Sequence, residues 1–178
     1  MKVGFAKAFG LLSLLVFSAC AVAPKNQEEA RAFAKDKFTA REVRMPAKRY
    51  AGLAAEFRAY AKKCIPETVV IDHHGRTMDS RVSHFIHFKW DVVETADHTE
   101  LFVQKDIGTL LNAPSGGMYY VVVQADRPAG AEFPITYRWM DSYAFRGQDL
   151  AAPLESHLDS PSAHCPNLAD DSDFRDKF

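Results

Sequence analysis

Between Val82 and Val92, Val82, His84, Ile86, Phe88, Trp90 and Val92 alternate with Ser83, Phe85, His87, Lys89 and Asp91. A strict period of two over this length predicts a strand with one face turned to a core. Such a strand needs paired neighbours on both sides, so it commits the chain to a sheet. Alternation returns at Leu101, Val103, Lys105 and Ile107 against Phe102, Gln104 and Asp106. Further strands are predicted at Val69–Ile71, Met118–Ala125 and Ile135–Phe145. The connections carry turn residues: His73-His74-Gly75-Arg76, Thr95 to His98, Pro114-Ser115-Gly116-Gly117 and Asp126 to Gly130. Turn clusters between alternating runs predict an antiparallel meander.

Helical spacing appears upstream. Tyr50, Leu53, Ala54, Phe57, Tyr60, Ala61 and Cys64 recur at three- and four-residue steps, one apolar stripe ending before Pro66. Pro46 suits the opening of that helix, and Thr39–Met45 predicts a short strand before it. Asn26 with Glu29 predicts a capping box opening a short helix from Gln27 to Lys37. Leu150–Leu158 predicts another short helix. The expected fold is α+β: an antiparallel meander sheet of five to six strands packed by one long amphipathic helix. Its layout resembles that of helix-grip and BamC-like envelope-lipoprotein domains, with no residue motif in common.

The first residues are of another kind. After Lys2 and Lys7, the run from Ala8 to Ala23 carries no charge. It falls short of the roughly 20 residues needed to cross a bilayer as a helix. A basic opening, a leucine-rich core and small residues form a secretory signal. Ser18-Ala19-Cys20 resembles the lipobox of bacterial lipoproteins, with Phe17 where that family usually has Leu. The resemblance implies acylation of Cys20 and removal of residues 1–19. In that family Ala21, rather than Asp, implies sorting to the outer membrane, with the domain facing the periplasm. The expected organisation is signal peptide 1–19, lipidated tether 20–38, α+β domain 39–168 and acidic tail 169–178.

Loss of Lys2 and Lys7 from 22 basic residues leaves them outnumbered by 23 acidic ones, which argues against bulk nucleic-acid binding. The basic run of Lys35, Lys37, Arg41, Arg44, Lys48 and Arg49 reads first as a solvated face; the alternative is that, close to the anchor, it leans on anionic headgroups. With Cys20 lipidated, Cys64 and Cys165 remain as an even pair in an oxidising compartment, and a disulfide is expected. A redox pair would ordinarily be spaced C-x-x-C.

The search for chemistry yields fragments. Asp72-His73-His74 has the letters of the DHH phosphoesterase motif, but Asp36 is the one aspartate upstream of it. His84 and His87 are three apart on a strand and face opposite ways; His98 and His157 could join a site only through folding. Ser115 lacks the nucleophile-elbow pattern, and Asp171 and Asp173 lack the rest of a calcium loop. The pairs Asp97/Glu100 and Glu132/Asp141 are not catalytic by spacing alone. The aromatics Tyr137, Trp139, Tyr143 and Phe145 suit a strand packing on the helix better than a ligand groove. No catalytic residue, metal ligand or cofactor site is predicted. The expected partners are the membrane, through the N-terminal lipid, and another envelope protein. The alternatives are a carrier of an apolar ligand between helix and sheet, and a hydrolase with an unrecognised site.

Overall fold

The computed structural model describes residues 23–74, 81–106, 114–142, 145–160, 164–166 and 168, without the side chains of 71–74, 81–84, 142 and 145. Helix α1 (Gln27–Lys37) leads into strand β1 (Thr39–Pro46), and a 3-10 turn (Ala47–Arg49) opens α2 (Tyr50–Cys64). Strands β2 (Thr68–His74), β3 (Arg81–Glu94), β4 (His98–Asp106), β5 (Met118–Asp126) and β6 (Glu132–Trp139) follow. A small hairpin, β7 (Asp141–Ser142) and β8 (Phe145–Arg146), then leads into α3 (Gln148–Asp159). The six long strands form one antiparallel sheet in the order β1-β6-β5-β4-β3-β2. The meander from β2 to β6 is as expected. β1 closes beside β6, so α2 carries the chain from one edge of the sheet to the other.

The expectation of one long helix needs correction: three helices divide the sheet between them. On one face α2 and α3 share a core with Ile86, Phe88, Leu101, Val103, Val121, Val123, Ile135 and Tyr137. The α2 stripe contributes Leu53, Phe57 and Ala61, all 0% exposed. Each large side chain so buried contributes about 1.5–3 kcal/mol of transfer free energy. On the opposite face α1 covers a smaller, separate cluster in which Ala30, Ala34 and Phe38 meet Phe102, Tyr119 and Val122. Residues 27–38, read from sequence as tether, therefore carry a helix docked on the sheet. The N-cap is present: Asn26 Oδ1 accepts from the Glu29 amide at 2.9 Å, while the Glu29 carboxylate reaches back to Asn26 Nδ2 at 3.2 Å and to the Lys25 amide at 2.9 Å.

Three boundaries depart from the sequence pattern. Pro46 ends β1 rather than opening α2, because its carbonyl-side neighbours first make the 3-10 turn. His73 and His74 continue β2 instead of turning. The last long strand stops at Trp139, not Phe145. There the Met140 amide donates to the Tyr120 carbonyl at 3.0 Å, and the Met140 carbonyl accepts from the Gly147 amide at 3.1 Å, which turns the chain out of the sheet. A Cβ at Gly147 would lie 2.6 Å from that carbonyl oxygen, so only glycine allows the approach.

Candidate functional site

Side chains of chemical interest fall into three places. The first is the far end of the α2-covered face. A register shift between Val103 and Gln104 makes a bulge, so that consecutive Tyr120 and Val121 both join the α2-side core. Lys105, in step with Leu101 and Val103, is opposite Phe88 on β3 and Met118 on β5. It is 3% exposed, with Nζ 5.6 Å from the Tyr120 ring centroid. Burial lowers its pKa from 10.5 to about 8. The neighbouring turn is held by Gln104, whose Nε2 donates to the carbonyls of Ser115 at 3.3 Å and Gly117 at 3.0 Å.

The second place is the seam between α2 and α3. Tyr60 lies against His157 with ring centroids 5.2 Å apart, and among the described residues neither the Tyr60 hydroxyl nor His157 Nδ1 has a hydrogen-bond partner. Burial raises the Tyr60 pKa, keeping its hydroxyl protonated. Tyr137 is likewise raised by burial and by Glu155 and Asp159. Around this seam Arg41 pairs with Glu155 at 3.0 Å. Arg49 pairs with Glu56 at 2.6 Å and donates to the Leu158 carbonyl, tying the start of α2 to the end of α3. One turn beyond Tyr60, Cys64 is bonded to Cys165, 101 residues along the chain. Cys64 is buried and Cys165 exposed.

The third place is the other face at β2 and β3. Val70 and Phe85 are register partners and are 48% and 58% exposed. They sit beside a second cross-strand pair, in which Thr68 Oγ1 and His87 Nδ1 lie 3.0 Å apart. At one edge of the sheet, β2 pairs with β3 alone among the described residues.

The candidate catalytic fragments come apart in the fold. Glu100 is fully buried and held by Arg31 Nε at 2.7 and 2.8 Å, with His98 Nε2 at 3.3 Å. Asp97 is engaged in a turn, where its carbonyl accepts from the Arg127 amide at 2.7 Å. Glu132 opens β6, whereas Asp141 lies beyond its other end, in β7. Among the described residues no group of three or more His, Cys, Asp or Glu could hold a metal. Tyr137 and Trp139 belong to the α2-side core, whereas Phe145 has left for β8. Cys20, Tyr143, Asp171, Asp173 and the side chains of Asp72, His73, His74 and His84 lie outside the described residues.

Lys105 and the Val70–Phe85 pair are the features that sequence reasoning passed over. Both had a signal: a lysine in step with an apolar stripe, and apolar residues on the polar side of an alternating strand. The chain matches no protein-family model, no curated protein and no solved structure.

Proposed function

We propose that the chain is a bacterial envelope lipoprotein, held to the outer membrane through Cys20, whose domain binds another envelope protein rather than turning over a substrate. The observation that carries the binding role is the Val70–Phe85 pair on an edge of the sheet. An exposed apolar pair beside strand groups that pair with nothing among the described residues is costly to keep, because it invites unwanted pairing. It is well suited to receive an extended segment, whose backbone pairs with β2 while a side chain covers Phe85. A carrier is less well supported, since the space between helix and sheet is taken by Leu53, Phe57, Tyr60, Phe133, Ile135 and Tyr137, each 1% exposed or less. Catalysis is less well supported because the candidate carboxylates do not converge and the buried one, Glu100, is engaged in a structural pair with Arg31.

Cross-linking in intact envelopes tests the surface. The wild-type protein is expected to give a discrete adduct with one partner. Phe85→Glu should reduce that adduct at least tenfold while leaving the circular dichroism spectrum and Tm nearly unchanged, because the side chain is exposed. An undiminished adduct in a folded Phe85→Glu protein would move the interface elsewhere.

A further inference from the structure

We infer that α1 is a releasable latch that sets how far the domain can stand from its membrane anchor; the inference rests on the lipid anchor at Cys20. Three features of the fold point to it. First, α1 has a core of its own: Ala30, Ala34 and Phe38 pack with Phe102, Tyr119 and Val122, and partly buried Met140 is the residue common to this cluster and the main core. The cluster can therefore open while α2, α3 and the rest of the sheet stay packed, as a local unfolding unit. Second, the polar part of the hold is localised. Arg31 grips Glu100 through both carboxylate oxygens and lies 5.5 Å from the Phe102 ring centroid, while Gln27 Nε2 donates to Asp91 at 2.6 Å. Third, at 11 residues α1 is too short to persist as a helix once detached.

The consequence is a change of reach. With α1 docked, the chain is already buried at Pro24, four Cα steps from Cys20, a span of at most about 14 Å. With α1 released and melted, the free chain runs to Thr39, and nineteen residues reach at most about 65 Å. The N-cap at Asn26 fixes where the docked helix begins. A partner too distant for the docked form would thus come within range on release.

Hydrogen exchange of the full-length lipidated protein in vesicles tests the latch. In the wild type, amides of 30–38 should exchange at least tenfold faster than those of β4 and β5. Arg31→Ala should speed the former severalfold and leave the latter unchanged. Ala34→Asp, which buries a charge under α1, should do the same by a different route. Neutron reflectivity on a supported bilayer should then place the domain of both variants farther from the membrane. If α1 exchanges only together with β4 and β5, in wild type and variants alike, the latch is wrong whatever holds the protein to the membrane. If exchange is as expected but Cys20→Ser leaves the bilayer distance unchanged, the latch opens but the anchor assignment fails.

Discussion

Lys105 occupies a place that the alternation of β4 reserves for an apolar side chain, between Phe88 and Met118 and over Tyr120. Its phase is plain in the sequence. Its burial is not, because the bulge that brings Tyr120 onto the same face has no sequence signature of its own. Glu100 is similar: spacing pairs it with Asp97, whereas its partner is Arg31, 69 residues away. Lysine 105 has a pH consequence whose sign is fixed. Its folded pKa, about 8, lies below its ordinary 10.5. Between those values the unfolded chain holds the proton and the folded protein does not, so stability rises with pH across the window. Relative to Lys105→Met, the wild type should therefore gain about 2–4 kcal/mol between pH 7 and pH 10.5. Urea denaturation of both proteins across that range measures it. Parallel pH profiles would mean that the ammonium is in water.

Among the elements, the buried stripe of α2 was legible, each apolar position from Leu53 to Cys64 being buried, but its start, expected at Pro46, was not. The limits of α1 were legible from Asn26 and Glu29, but its docking was not. Two alanines make a faint stripe, and Phe102, Tyr119 and Val122 read as the wet side of a sheet with one covered face. The end of β6 was misplaced because Met140 and Gly147 turn the chain through backbone contacts that alternation does not encode. The bond between the end of α2 and the segment after α3 gives an element-scale expectation. Cys64→Ala frees a loop of about 100 residues and should cost about 2–5 kcal/mol. The double variant Cys64→Ala/Cys165→Ala should cost about the same, because the two sulfurs act as one unit. Denaturation midpoints of the three proteins, with peptide mapping of the oxidised wild type, decide this. Two free thiols in protein taken from its own compartment would remove the bond from the account.

At the scale of the whole molecule, the meander could be read from turn chemistry, but the closing of β1 against β6 could not. That pairing joins Thr39–Pro46 to Glu132–Trp139 across most of the chain, and no local pattern specifies so distant a partner. The result is an open sheet with α2 and α3 on one face and α1 on the other, leaving Val70 and Phe85 uncovered. Among the described residues no helix is long and apolar enough to cross a membrane. The proposed attachment is the lipid on Cys20. More than one acyl chain, at about 0.8 kcal/mol per buried methylene, would anchor the domain stably. Fractionation of cells expressing wild type or Cys20→Ser tests that claim most directly. The wild type should sediment with the membranes and carry acyl mass on Cys20, whereas Cys20→Ser should appear in the soluble fraction. A Cys20→Ser protein that still sediments with the membranes would contradict the anchor.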